Sequence, residues 1–184
     1  MPNFYLDIET TGTDPSKDKI ITIQFAELER NTALQKGNLR ILKEWESNEK
    51  NILLSFISES KVADPYVFTF VPVGYNLGFE HRFLLERCKS NGLPPIRILN
   101  RPFIDLRSLG VLMNRGEFRD SGLDKITGKP HSGTIIPQWY VEKKWGEIER
   151  YVTVEADHFI RFCSWLYKEL PLLLSRFKLE NGFS

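Results

Sequence analysis

The sequence predicts an α/β fold in which a mixed sheet of five or six strands carries helices on both faces. Three observations lead there. Runs of β-branched and aromatic residues dominate the first third of the chain, helical periodicity dominates the rest, and strands before helices is the order of an α/β sandwich. The 184 residues suit one domain with a sizeable core, read as residues 1–184. A formal net charge of +1 gives no global attraction to nucleic acid or membrane, so any basic surface must be local. Cys88 and Cys163 form no C-x-x-C, which argues against a zinc cage or a disulfide framework. Acids at Asp7 and Glu9 stand where a signal peptide would carry a basic and then an apolar run, and no apolar stretch is long enough to span a bilayer. A soluble, cytoplasmic protein without a membrane partner is expected.

Taken in order, the first half of Phe4 to Gly12 is an unbroken apolar run and reads as a strand. After a turn at Asp14 and Pro15, Ile20 to Ala26 is β-branched and reads as a second. Asn38 to Trp45 alternates Leu39, Ile41 and Trp45 behind a turn at Gly37, giving a third. Ile52, Leu53, Phe56 and Ile57 recur at helical spacing within Asn51 to Val62. Pro65 ends that segment, and Tyr66 to Gly74 follows as a β run in which Pro72 demotes part to an edge or a bulge. Phe79 to Asn91 reads as a helix with Phe83, Leu84 and Cys88 inward and Gly92 at its end. Phe103 to Leu106 is a short strand that runs into a helix through Leu109 and Leu112. Gly116 to Gly133 is glycine-rich and charged, a loop with at most a short helix. The last helix is expected from about Lys144 to Leu170, stopped by Pro171.

The chemistry gathers where the first strand ends, in Phe4-Tyr5-Leu6-Asp7-Ile8-Glu9-Thr10-Thr11-Gly12. Residues at i and i+2 of a strand share a face, so Asp7 and Glu9 project together. Two anions that close repel unless a cation sits between them. An arbitrary D-x-E is usually a strand end with two solvated acids. Here the apolar strand followed by D-I-E-T-T-G resembles the first motif of the DnaQ-like, DEDD-type 3′–5′ exonucleases, a branch of the ribonuclease H-like fold.

Two further stretches resemble the remaining motifs of that family. In Gly74-Tyr75-Asn76-Leu77-Gly78-Phe79-Glu80-His81-Arg82-Phe83-Leu84, as in the second motif, a strand ends in asparagine and a helix opens with Phe and an acid before a Phe-Leu pair. The acid is Glu80, one methylene longer than the usual aspartate, at a place where the helix dipole favours an acid in any case. Trp145 to Asp157 resembles the tyrosine subclass, whose last helix carries Tyr-x-x-x-Asp. Tyr151 plus four residues is Glu155, again a glutamate, one turn away on the same helix face. Asp157 lies about 200° around the helix from Glu155, so both cannot enter one site. Spacing selects Glu155 and leaves Asp157 as the alternative. The histidine subclass needs His-x-x-x-x-Asp. His81, His131 and His158 are followed at that distance by Glu86, Ile136 and Cys163, and the one acid lies in the wrong region.

The resemblance runs from residue 4 to residue 157, with its motifs in family order. It implies a ribonuclease H-like fold and a metal-dependent exonuclease that hydrolyses phosphodiester bonds at the 3′ end of DNA or RNA. Such hydrolysis needs an activated water and stabilised charge on the attacking and leaving oxygens, which two divalent cations about 3.5–4 Å apart can supply. Carboxylates without cysteine or paired histidine suit Mg²⁺ or Mn²⁺. The resemblance further implies that Asp7, Glu9 and Glu155 hold the first of two Mg²⁺ or Mn²⁺ ions and that Asp7 bridges to the second. Glu80 then supports the second through water, and Tyr151 orients the nucleophilic water. Thr10 and Thr11 stand where family members touch the terminal nucleotide, and Asn76 is a candidate for the substrate or for the turn. Asp105 reads as a structural acid.

The expected partner is single-stranded or 3′-ended nucleic acid. Seven Lys or Arg (Arg97, Arg101, Arg107, Arg115, Arg119, Lys125, Lys129) stand against four acids (Asp105, Glu117, Asp120, Asp124) between residues 97 and 129. Lys143 and Lys144 near Trp139 and Tyr140 form a second candidate strip. This modest basicity suits a grip on a few nucleotides rather than tight duplex binding, although each cation alone is as readily a solvated surface residue. The alternative class is a catalytically weakened nuclease-like fold that binds nucleic acid or protein. Glutamate at two of the four metal positions motivates it, since a longer side chain moves the oxygens by about one bond in a site that is exacting for Mg²⁺.

Overall fold

The computed structural model describes residues 2–128 and 133–183. In chain order the strands are β1 (Asn3–Thr10), β2 (Ile20–Leu28), β3 (Gln35–Lys43), β4 (Val71–Gly74) and β5 (Ile104–Asp105). The helices are α1 (Glu49–Ser60) and α2 (Gly78–Ser90) on either side of β4 in sequence, then α3 (Arg107–Met113), α4 (Leu123–Thr127), α5 (Ile136–Val141) and α6 (Trp145–Glu180). The sheet order is β3-β2-β1-β4-β5. The first three strands form an antiparallel meander, while β4 and β5 run parallel to β1. The mixed α/β sheet expected from the sequence is thus present, with five strands among the described residues.

β1 is the central strand, and its alternation separates two cores. Leu6 and Ile8 face one side, packed with Phe56 of α1 and Phe83 and Leu84 of α2. Tyr5 faces the other, packed with Ala156, Phe159 and Cys163 of α6. Each fully buried large apolar side chain of this kind contributes roughly 1.5–3 kcal/mol, so a strand apolar toward both faces settles at the middle of the sheet. Cys88 and Cys163 are both free and buried. No described helix is long and apolar enough to cross a membrane.

The structure departs from the sequence reading at both prolines. The β run begins at Val71, not at Tyr66, because the Asp64 carboxylate accepts from Tyr66 N (2.8 Å) and the Thr69 N–H from there closes a turn onto the Tyr66 carbonyl (3.0 Å). Pro72 nevertheless lies in an internal strand. Val71 N donates toward β1, to the Pro2 carbonyl (3.3 Å), so Pro72 turns its missing N–H toward β5, which pairs only from Val73 onward. The last helix passes Pro171 and continues to Glu180. Proline there has the φ a helix needs, so it removes one hydrogen bond without ending the helix. The segment 116–133 holds the short helix α4, and α5, six residues with a proline in its first turn, was not expected.

A buried ion pair ties the start of α1 to the sheet and to α2. Glu49 accepts from Ile20 N (2.8 Å), from Arg87 Nε and Nη2 (2.9 and 2.8 Å) and from Asn91 Nδ2 (2.9 Å). Burial pushes its carboxyl up, but Arg87, Asn91 and the Ile20 amide outweigh burial and hold it below the usual range. Arg87→Ala leaves that carboxylate buried beside only neutral donors and is expected to cost about 3 kcal/mol, read as a lower urea midpoint. A midpoint equal to wild type refutes the role of the pair.

Candidate active site

The site lies at the C-terminal ends of β1 and β4, where three segments distant in sequence meet. Asp7 and Glu9 stand on the α6 side of β1, as their i, i+2 spacing requires. On α6 the buried stripe runs through Ile148, Tyr151, Val152, Ala156, Phe159 and Cys163. Glu155 falls within it, one turn from Tyr151. The carboxylates of Asp7, Glu9 and Glu155 each offer an oxygen, all within 4.8 Å of one another. Glu80 enters from the first turn of α2. These residues line a cleft of about 500 Å³ together with Thr10, Asn76 and Tyr151.

The second motif owes its position to local backbone chemistry. At Gly74 an added Cβ would lie 2.9 Å from the Leu6 carbonyl oxygen and 2.5 Å from the Leu77 side chain, so only glycine lets β4 end this close to β1. Asn76 takes a left-handed conformation (φ 70°) that reverses the chain toward α2. The Asp105 carboxylate fixes that reversal by accepting from the backbone amides of Asn76 (2.8 Å), Leu77 (2.9 Å) and Arg107 (2.9 Å). Asp105 is therefore a structural acid, and it aims the first turn of α2 at the end of β1.

Electrostatics set these groups apart from ordinary surface acids. Glu80 is only 4% exposed, and its Oε2 has no hydrogen-bond partner among the described residues. Burial first, and the neighbouring Asp7 charge second, push its carboxyl well above the usual range. Tyr151 is buried too. Burial, then the charges of Glu155 and Glu9, raise its hydroxyl far above the ordinary tyrosine value, so it stays a neutral hydrogen-bonding group. Trp139 makes a T-shaped contact with its ring, the centroids 6.3 Å apart. Hard oxygen donors, a crowd of like charges and a buried carboxylate oxygen without a partner among the described residues fit a divalent cation.

Other candidates from the sequence fall outside this cluster. Thr11 does not line the cleft. Its Oγ1 accepts from Lys19 N (3.0 Å) and lies 3.4 Å from Asp18, binding the turn between β1 and β2. Asp157 points to solvent and pairs with Arg161 at 2.9 Å, which separates it from Glu155. Of the seven cations between residues 97 and 129, Arg107 lines the cleft, whereas Lys129, like His131, lies outside the described residues. At the second basic strip, Lys143 and Lys144 are both exposed. Trp139 and Tyr140 make T-shaped contacts with Tyr151 and Trp145, and Lys144 pairs with Glu142 at 2.6 Å. Tyr5, Gly133, Thr134 and Pro137 also line the cleft and were not singled out by the sequence. The period-two spacing of Tyr5 from Asp7 carried a signal, whereas residues 133–137 belong to no motif.

Comparison with known proteins agrees with this architecture. Residues 4–129 match the family model described as the RNase H superfamily. The chain belongs to the RNase H superfamily. It is also similar in structure to E. coli exonuclease I in complex with a dT13 oligonucleotide, with a TM-score of 0.63 and 15% identity over 95% of this chain and 43% of that one. The zinc-bound form of the E. coli exonuclease I complex with single-stranded DNA gives 0.63 and 14%, over 95% and 42%. The chain thus spans less than half the length of the exonuclease I chains it matches, and at this identity the likeness is one of fold. Among curated proteins none matches. The resemblance read from the motifs therefore holds at the level of the RNase H superfamily and its fold.

The raised carboxyl of Glu80 has a consequence for the metal-free protein. A folded-state pKa above the unfolded one means that stability is lost as pH rises through the folded value and is fully present below the unfolded one. Glu80→Gln, measured in chelator, is expected to melt above wild type at pH 7 and to lose that advantage as pH falls toward the ordinary glutamate range. A Gln variant that melts below wild type at pH 7 shows the carboxylate to be structurally required.

Proposed function

We propose that the chain, taken as one domain over residues 1–184, is a divalent-metal-dependent 3′–5′ exonuclease of the DEDD tyrosine type. The observation that carries this reading is the convergence of Asp7, Glu9, Glu80, Glu155 and Tyr151 in one cleft of a nuclease fold. The complexes of exonuclease I with single-stranded oligonucleotides support a single-stranded or 3′-ended nucleic acid as substrate, DNA or RNA. A cytoplasmic setting belongs to the same reading.

In this assignment Asp7, Glu9 and Glu155 would hold one Mg²⁺ or Mn²⁺, and Asp7 and Glu80 would serve a second. When bound, the two cations would lower the pKa of the attacking water and offset charge on the attacking and leaving oxygens. The remaining work falls to the protein's own groups. Tyr151, kept neutral by its surroundings, orients the water through its hydroxyl. Thr10 and Asn76 line the cleft where a terminal nucleotide would lie, with Arg107 as a cation for its phosphate. Thr11 supports the turn beneath them.

Release of nucleotides from 3′-ended DNA and RNA oligonucleotides with Mg²⁺ or Mn²⁺ tests the assignment. Glu155→Gln, nearly isosteric and uncharged, is expected to remove most of the activity, and Asp157→Asn to leave it near wild type. Tyr151→Phe is expected to lower turnover by about 10²-fold while sparing Mn²⁺ binding, because it removes only a hydroxyl that orients water. A wild type that binds the strands and cleaves none of them favours the weakened, binding-module reading. Activity lost only in Asp157→Asn refutes the register on α6.

A further inference from the structure

Tyr5 precedes Asp7 by two residues on β1 and projects to the same side of the sheet. Its ring belongs to the core, packed at 5.0 Å on Phe159 of α6, and the residue is 2% exposed. Tyr5 lines the acidic cleft, and its buried hydroxyl has no hydrogen-bond partner among the described residues. A phenylalanine would fill the same space without burying a polar atom, and burying a hydroxyl without a partner is unfavourable. Such an atom in a native core calls for a partner outside the protein's own groups.

The surroundings identify the chemistry of that partner. Asp7, Glu9, Glu80 and Glu155 line the same cleft as Tyr5. Glu80 Oε2 is another buried oxygen of this cleft without a hydrogen-bond partner among the described residues. A water on a divalent cation commits its lone pair to the metal and has hydrogens left to donate, so it seeks acceptors such as a carboxylate oxygen and a phenolic oxygen.

We propose that Tyr5 is a positioning residue of the metal site, its hydroxyl accepting a hydrogen bond from a cation-bound water on the side of the cleft faced by Asp7 and Glu80. This rests on the metal-dependent reading above and adds to it a group outside the four acids and Tyr151. Outer-shell partners of this kind typically alter metal affinity by 10–100-fold when removed. A tyrosine present only for packing would alter it not at all.

The test is calorimetric titration of the full chain with Mn²⁺, with thermal melts in chelator alongside. Tyr5→Phe is expected to weaken Mn²⁺ binding about tenfold while melting no lower than wild type without metal, since only the partnerless hydroxyl is lost. Addition of Mn²⁺ should then raise the melting temperature of the variant less than that of wild type. Equal Mn²⁺ binding by wild type and Tyr5→Phe overturns the inference and leaves the metal-dependent reading standing. A variant that melts well below wild type in chelator also overturns it, because the hydroxyl then has a structural partner. A wild type that binds no Mn²⁺ overturns the metal-dependent reading, and the role of Tyr5 with it.

Discussion

The structure depends on holding like charges together at the end of one central strand. Asp7, Glu9 and Glu155 bring oxygens within 4.8 Å, and Glu80 is buried in the same cleft. Two full charges at such a separation repel by roughly 3 kcal/mol in an effective dielectric of about 20. That is as much as burying a large apolar side chain contributes. The acids do not assemble themselves, so the packing around them must impose the arrangement.

β1 supplies that imposition. Its period of two sends Leu6 and Ile8 into the core with α1 and α2, and sends Tyr5, Asp7 and Glu9 toward α6. Antiparallel pairing with β2 along its whole length and parallel pairing with β4 leave it no freedom to slip, since a shift by one residue would turn the acids toward α1 and α2 and the Leu6 and Ile8 side chains toward α6. The two helices that complete the cleft are docked on opposite faces of the same strand. α6 arrives through Phe159 on Tyr5, and the first turn of α2 arrives through the Gly74 close approach and the Asp105 cap. The site is thus the seam between the two cores, where the sheet ends and neither helix layer closes over it.

This arrangement bears on the two glutamates that stand where the family uses aspartate. Glu155 sits on the buried stripe of α6, one turn from Tyr151, while Asp157 is turned to solvent and bound to Arg161. Glu80 is deeply buried, and a carboxyl kept there with its pKa pushed up is a standing cost to the metal-free fold. A fold that had no use for those charges would lose little by neutralising them. Under the metal-dependent reading proposed above, a bound cation would offset that cost.

By itself the sequence determined the α/β class, the order of the main strands and helices, and the candidate acids, because each of these follows from short-range periodicity. Asp7 and Glu9 share a face through a period of two, and Tyr151 and Glu155 share one through a period near 3.6. The choice of Glu155 over Asp157 was legible for the same reason. Only the tertiary structure decided what depends on neighbours distant in the chain. Pro72 is internal to the sheet because β5 begins to pair one residue later, and Pro171 does not end α6 because one missing hydrogen bond is too little to do so. Thr11 belongs to a turn because Lys19 and Asp18 take up its hydroxyl. Tyr5 read as a core aromatic, and whether its hydroxyl meets a partner or a cleft is set by where α6 and α2 dock. No local pattern in the sequence encodes that docking.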